Sequence, residues 1–441
     1  MPCQHSENGA RCVPAVESPG SRYDSLLELR RARRDPIGFL RRIASGGDVT
    51  PFSLAGQRGY LVSHPAQIEA ILVTDGAGFA KSPALDRAAR LLGRGLLTAE
   101  APLHTARRRT IAPAFGRQRM SRYAGIMAAL ASRRAAGWHD TQAIDMVEEM
   151  SALTLGIVGE SFCGTELDAV GAELRQILVT AIGSLDPLVA LIAPMRRLRP
   201  ARARLDAIVQ DLIDSRLANP APPDDLLTLL LDAEGPDATP EQLHDDFLTM
   251  LLAGHDTIAN ALTWTWWWLA THPEAEASFH REVDEVLERR PAMMEDLPRL
   301  PYTRAVLAES LRLRPPAWIL ARRALTDYEC GGVLIPAGAL VIMSPYLVHR
   351  DERFFPRPLQ FDPARWMVPG ASPTPKSGFF AFGAGRRSCI GESFAWMEGA
   401  IVLATLGHRW QFRSLDAAAE FDPRITLRPR GPLTMRIAAR R

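Results

Sequence analysis

From Thr239-Pro240-Glu241 to His272-Pro273 the sequence holds no helix-stop signal. Threonine is a good helix cap, and proline fits the first turn, where its missing N–H would have had no helical partner. At 1.5 Å per residue the helix is expected to be about 48 Å long, enough to cross a protein of this size and serve as its spine. Inside it lies Ala253-Gly254-His255-Asp256-Thr257. A glycine in mid-helix costs about 1 kcal/mol relative to alanine, so it needs a reason. Local widening of the helix is one, with the Thr257 hydroxyl and the Asp256 carboxylate lining the opening. His255 has no second histidine at helical spacing and makes little case for a metal. Trp264, Trp266, Trp267 and Trp268 read as core packing, since nothing basic interleaves them as base stacking on nucleic acid would need.

A second stretch, Phe382-Gly383-Ala384-Gly385-Arg386-Arg387-Ser388-Cys389-Ile390-Gly391, sets one cysteine in a glycine-rich loop before an apolar run, Phe394 to Leu406, that reads as a helix. Backbone N–H groups of such a turn and the positive end of the next helix both favour a thiolate, so Cys389 is expected to be an anionic ligand. A buried, inert cysteine is the plain alternative. Gly385 and Gly391 fit close approach to something flat and bulky, and Arg387 can reach an anionic group on it.

Two charged patterns are weaker. His104 and Arg108 share one helix face and could meet the same anion, or form a solvated cationic face. Glu309 and Arg312, three apart in a helical stretch from Tyr302 to Leu313, make an ordinary surface pair when taken alone.

Around these, helical patterns cover Asp35–Ala44, Arg117–Trp138, Ile144–Phe162, Leu167–Leu185, Pro200–Ala218 and Asp225–Ala233. Strands are expected around Gly56 and Gly59 within Val49–Ser63, at Arg322–Thr326, Val333–Ile335 and Ala339–Met343, and near Gly431-Pro432. Asp75–Ala101, rich in Gly and Ala, reads as a mobile substrate-facing loop. The first 22 residues read as a loose tail and 23–441 as one domain. A net charge of +2 makes no case for nucleic acid, and five scattered cysteines make none for a disulfide framework. There is no apolar leader, and Leu178–Met195 is cut by Asp186, Pro187 and Pro194, short of a membrane span. A cytoplasmic protein is expected.

The loop pattern Phe-x-x-Gly-x-Arg-x-Cys-x-Gly resembles the haem-thiolate loop of the cytochromes P-450, and three further stretches, His104–Arg108, Ala253–Thr257 and Glu309–Arg312, follow the family's order. The resemblance implies a mainly α fold with a small β-rich region, with haem b between the long central helix and the cysteine-loop helix. It makes Cys389 the iron ligand and assigns Phe382, Gly385, Gly391, His104, Arg108, Arg323 and Arg387 to the cofactor, the cations among them to its propionates. Gly254, Asp256 and Thr257 match the segment whose acid and alcohol deliver protons during dioxygen cleavage, although Ile258 stands where the family often has a second hydroxyl. Glu309, Arg312 and Arg365, the last within Phe361–Trp366, would form a buried charge triad that fixes the cysteine loop.

The implied activity is insertion of one oxygen atom from O2 into a hydrophobic small molecule, a terpenoid or other secondary metabolite. Leu248, Leu252, Ala253, Ala317, Trp318, Ile319, Leu320 and Pro432 would line the pocket. With no flavin or iron–sulfur segment in sight, electrons are expected from an external ferredoxin and its NAD(P)H-linked reductase. The docking surface would be a basic face made by Arg107, Arg108, Arg109, Arg117, Arg119, Arg122, Arg386 and Arg387. A monomer is expected. The competing readings are a peroxide-driven peroxygenase, which has no need of the Asp256–Thr257 pair, and a non-catalytic haem sensor.

Overall fold

The computed structural model describes residues 26–440, apart from residues 55, 168–172, 174–176, 178–198, 220–223, 234–237, 289, 369, 371–375, 377, 417 and 425. The expected tail, the apolar stretch Leu178–Met195, the turn at Pro220, Pro222 and Pro223, and most of the helix expected over Leu167–Leu185 lie outside the described residues.

The spine helix runs Pro240–Thr271, capped by Thr239, whose hydroxyl accepts the Gln242 N–H at 3.2 Å. Helices Met146–Cys163, Arg199–Leu217, Pro273–Leu287, Pro301–Leu313 and Glu392–Arg409 all pack against it. That enclosure is why Phe247, Leu262, Trp264, Trp266 and Leu269 are buried around its circumference. Thr263 and Thr265 tolerate the apolar setting because their hydroxyls donate to carbonyls four residues back, at 2.8 and 2.7 Å. The helix stays α-helical throughout. Gly254 is explained differently from the expected widening: a Cβ there would press on Phe162 Cε2 at 3.2 Å and Val158 Cγ2 at 3.3 Å. Close crossing with Met146–Cys163 sets the residue.

The largest sheet has five strands in the order Val49–Leu54, Gln57–Val62, Leu340–Met343, Leu320–Ala324 and Phe79–Lys81. Only the pairing of Gln57–Val62 with Leu340–Met343 is parallel. Side chains alternate between two faces. Tyr60, Val341, Met343 and Ala324 pack with Ile71 and Leu72 on one, while Phe52, Leu61 and Ile342 pack with Ile37, Phe39 and Leu40 on the other. Gly56 makes the hairpin turn, with φ +76°; Gly59 lies within the second strand, where the Phe52 ring occupies the place of a side chain.

Residues 75–101 are more ordered in form than a bare loop, with strand Phe79–Lys81 and helix Pro83–Leu92. Beyond that helix the backbone N–H groups of Arg94 and Leu96 donate to Asp245 and Asp246 of the spine, at 2.7 and 2.9 Å. At the C-terminal end a hairpin, Phe421–Pro423 with Leu427–Pro429, precedes strand Thr434–Ala439, which pairs with Trp410–Ser414 and Ala143–Asp145. Among the described residues no helix is long and apolar enough to cross a membrane.

Candidate active site

Gly383 and Gly385, both at φ +69°, fold the cysteine loop back on itself, and the Cys389 N–H donates to the Phe382 carbonyl at 2.9 Å. A Cβ on Gly385 would overlap the carbonyl oxygen of Leu72, so this glycine answers to a neighbouring turn of the protein. At Gly391 a Cβ would meet only ordinary contacts, with Cys389 Sγ at 4.0 Å among them. Cys389 keeps accessible surface although protein surrounds it. Burial pushes its thiol up, against the pull of the Gly391 N–H and Arg108. A bound cation would reverse the balance.

A cluster of aromatic rings joins this loop to the spine. Phe115 and Phe394 lie 6.2 Å apart, Phe162 and Phe394 5.2 Å apart, and Tyr123 packs on both Phe162 and Phe394. Phe115 borders Gly391 and Phe162 borders Gly254. In the middle of the spine helix, Ala253 is exposed and Leu252, Gly254, Asp256 and Thr257 are half-buried. Thr257 donates its hydroxyl to the Ala253 carbonyl at 3.0 Å. Asp256 Oδ2 accepts from Thr426 at 2.9 Å and from Asn260 at 3.2 Å.

Cations gather on the third side. Arg108 donates to the carbonyl and hydroxyl of Ser388, at 2.7 and 3.3 Å, and so grips the residue before the cysteine. Arg387 donates to the Phe79 carbonyl at 2.7 Å and to Glu100 at 2.6 Å. Lys81, 5% exposed, donates to the carbonyls of Leu96 and Leu97, and burial lowers its pKa to about 8. Burial likewise takes Arg322 down to about 10, with Arg387 adding to the fall. His104 is pushed to about 4, first by burial and then by Lys81, Arg387, Arg108 and Arg322, so it is neutral near pH 7. Lys81, Arg322 and Arg387 thus share Glu100 as their counter-charge, with Arg108 adding to the positive charge around His104, a surplus that calls for anions.

Arg323 is not among them. In the antiparallel register Arg322 pairs with Lys81 and Arg323 with Ala80, so the two arginines stand on opposite faces of the sheet. Leu320, on the face of Arg322, reaches toward Gly383, so that face looks at the cysteine loop. The expected cofactor residue Arg323 thus stands on the face away from the cysteine loop, and Arg322 stands on the face toward it.

Glu309, Arg312 and Arg365 form one cluster. Arg312 makes a bidentate pair with Glu309, both bonds at 2.8 Å, and both side chains are fully buried. Arg365, Trp366 and the Asp362 N–H supply three more donors to the same carboxylate at 2.9, 2.9 and 3.0 Å. Arg312 also donates to the carbonyls of His349, Pro358 and Gln360. The next link is His349, which accepts the Phe380 N–H at the start of the cysteine segment, at 3.1 Å.

Residues 18–433 match the family model described as Cytochrome P450. The chain belongs to the cytochrome P450 family. Curated relatives agree along nearly the whole length. Cyclooctatin synthase of Streptomyces melanosporofaciens is 35% identical and covers 91% of each chain. Cyclooctat-9-en-7-ol 5-monooxygenase of the same organism is 34% identical, over 91% of this chain and 90% of its own. Pentalenene oxygenase of Streptomyces avermitilis is 33% identical, over 86% and 87%. The protein is a P450 monooxygenase, and haem iron is the family's cofactor.

The residues of this P450 fit that group. Among the described residues no three His, Cys, Asp or Glu side chains come together as a metal cage. Cys389 offers a sulfur ligand to its iron, and the surplus cations suit the two carboxylates that haem carries.

Several of the expected pocket positions are corrected. Leu248, 1% exposed, and Trp318, 5% exposed, have no surface to offer. The Trp318 indole donates to the Arg424 carbonyl at 2.8 Å and packs in the cluster around helix Pro36–Ala44. Pro432 is exposed, and its neighbour Leu433 is bound to Asp145 at the start of helix Met146–Cys163. Beside Asp256 and Trp264 the spine instead meets Thr426 and Leu427 of the C-terminal hairpin. Leu252, Ala253, Ala317, Ile319 and Leu320 keep accessible surface.

The expected basic face is smaller too. Arg107 is buried against Asp246, and Arg119 and Arg122 are engaged by Asp224, leaving Arg109, Arg117 and Arg386 exposed. Sequence reasoning missed Lys81, Arg322, Glu100 and Thr426. Only Lys81 carried a signal, as one of two lysines in the chain.

Proposed function

We propose that this P450 uses haem b to insert one oxygen atom from O2 into a hydrophobic terpenoid, as a cytoplasmic monomer supplied with electrons by a ferredoxin and its NAD(P)H-linked reductase. The observation that carries the reading is an accessible Cys389 sulfur flanked by a surplus of buried cations and, across the aromatic cluster, by an exposed turn of the spine helix. The relatives named for cyclooctatin, cyclooctat-9-en-7-ol and pentalenene support an apolar cyclic substrate.

Haem iron bound through a thiolate would supply the activation of dioxygen and favour O–O cleavage over reversible binding. The residues do the rest. Cys389 would hold the iron, and Arg322, Lys81, Arg108, Arg387 and neutral His104 would hold the propionates. Leu252, Ala253, Ala317, Ile319 and Leu320 would present an apolar wall that orients the substrate and excludes water. Thr257 spends its proton on the Ala253 carbonyl, which leaves its oxygen lone pairs free to accept a proton carrier such as water. Asp256 would supply the protons. Glu309, Arg312 and Arg365 would hold the backbone leading into the loop. Exposed Arg109, Arg117 and Arg386 would meet an acidic donor, and turnover should then weaken as salt rises.

The test joins two measurements on the haem-loaded protein. The reduced carbon monoxide adduct reports sulfur ligation, and incubation with a terpenoid panel, ferredoxin, reductase and NAD(P)H reports oxygenated product. A Soret band without the red shift of sulfur ligation would end this account of Cys389. Ligation without any terpenoid product would remove the substrate class.

A further inference from the structure

Asp256, Asn260 and Trp264 recur at four-residue intervals and therefore share one face of the spine helix. That face meets the C-terminal hairpin. The Trp264 indole donates to the Leu427 carbonyl at 2.9 Å, and the Thr426 hydroxyl donates to Asp256 Oδ2, also at 2.9 Å. Asn260 adds a bond to the same oxygen at 3.2 Å and another to the Asp256 carbonyl at 2.7 Å. Among the described residues Oδ1 receives no hydrogen bond.

Thr426 is itself held from both sides. The Leu427 N–H donates to Pro316 at 2.9 Å, and the Arg424 carbonyl accepts from Trp318 at 2.8 Å. With the residue 8% exposed and its backbone tied on each flank, the hydroxyl has little freedom to follow the carboxylate should that turn. A donor so fixed sets the orientation of the acid.

We propose that Thr426 is a positioning residue for Asp256, anchoring Oδ2 to the hairpin so that Oδ1 is the oxygen that exchanges protons with the site. The inference rests on the role proposed above for Asp256 and extends it to a residue outside the spine helix. Because the hairpin runs on from a segment bound to Pro316, next to the apolar wall at Ala317 and Ile319, the acid's orientation is tied to that wall as well.

The experiment compares wild type, Thr426→Val, Thr426→Ser and Asp256→Asn as haem-loaded enzymes with ferredoxin, reductase, NAD(P)H and a terpenoid that the wild type oxidises. Val removes the hydroxyl at nearly constant size and Ser keeps it. Expected are a fall of about three- to tenfold in product per NAD(P)H for Thr426→Val and a changed solvent deuterium isotope effect on product formation. Thr426→Ser should recover both, with haem content at the wild-type level in all four proteins. Wild-type coupling and isotope effect in Thr426→Val would overturn the inference. So would losses that Ser does not restore, since those mark a strut of the hairpin.

If Asp256→Asn also matches wild type, the role given to Asp256 has failed; if Asp256→Asn is impaired and Thr426→Val is not, only the inference has. Crystal structures of wild type and Thr426→Val give a readout without turnover. Oδ2 should sit on Thr426 in the first and the carboxylate should be rotated in the second, and a wild-type carboxylate pointing elsewhere would sink the idea whatever the activity.

Discussion

Arg322 and Arg323 are consecutive in one strand and look to opposite faces of the five-stranded sheet, the first toward the cysteine loop and the second toward helix Pro36–Ala44. If Arg322 binds a propionate, Arg322→Ala removes a charge-assisted bond of about 1.5–3 kcal/mol. Haem transfer from the variant to an excess of apomyoglobin should then be about tenfold faster or more. Arg323→Ala should lose haem at the wild-type rate. Equal rates in the two variants would return the assignment to the alternatives.

Glu309 takes donors from Arg312, Arg365, Trp366 and the Asp362 backbone, and its side chain is wholly buried. Glu309→Gln keeps the shape but leaves two buried guanidinium groups facing each other with no counter-charge, a cost of ~3–5 kcal/mol. The expected result is a marked drop in denaturation midpoint, with less haem incorporated on expression. Arg365 has 12% of its side chain exposed against none for Arg312, so Arg365→Ala should cost less than Arg312→Ala. The order of the two midpoints checks this.

His349 is fully buried, stacked on Phe379, bonded to the Arg312 carbonyl through Nδ1 and to the Phe380 N–H through Nε2. Burial, then Arg312 and Arg350, hold its pKa well below the ordinary histidine value. Below about pH 6.5 the unfolded chain binds a proton that the folded one refuses, so stability falls as pH falls, by up to about 1.4 kcal/mol per pH unit from this site. Above that pH the contribution is complete and flat. Urea unfolding of wild type and His349→Gln at pH 5, 6, 7 and 8 measures it. Gln should lower stability at pH 7 and 8 and flatten the slope between pH 5 and 6.

The sequence disclosed what repeats or matches a pattern along the chain. Thr239-Pro240 and His272-Pro273 bound the spine to within a residue, because caps and prolines act locally. The cysteine loop was equally plain. What it withheld depends on the far side of each residue. Strand phase separates Arg322 from Arg323, and only the pairing with Lys81 reveals it. At Gly254 the room for a side chain is limited by Phe162, ninety-two positions earlier. Family resemblance puts Trp318 and Pro432 at the pocket, yet the Trp318 indole is bonded to Arg424 and the neighbour of Pro432, Leu433, to Asp145. Thr426 reaches Asp256 across 170 positions, with nothing local to announce it.

Gly254 gives a sharp contrast of side-chain size. Alanine regains about 1 kcal/mol of helix propensity, and its methyl would sit at 3.2–3.3 Å from Phe162 and Val158, tight but adjustable by a few tenths of an ångström. Gly254→Ala should therefore leave the thermal midpoint close to wild type. Gly254→Leu has no such room and should lose ~1–3 kcal/mol by overpacking. If Gly254→Ala were stable yet lost product formation, the glycine would have a part in the chemistry that its packing does not explain.

Thr257 carries the remaining prediction. Its hydroxyl donates to the Ala253 carbonyl at 3.0 Å, so what it offers the site is an oxygen that can hold a proton carrier, and Ile258 beside it supplies no substitute. In Thr257→Ala, with the proposed role of that hydroxyl removed, NAD(P)H oxidation should persist while dioxygen is released as hydrogen peroxide. Product per NAD(P)H should fall about tenfold or more, with the ~10²–10⁴-fold contribution of a positioned acid–base group as the ceiling. The three quantities to measure are NAD(P)H consumed, peroxide released and product formed. Supplying peroxide in place of NAD(P)H should narrow the gap to wild type, because both oxygen-bound protons then arrive with the oxidant. A variant equally coupled with NAD(P)H would instead favour the peroxide-driven reading of the site.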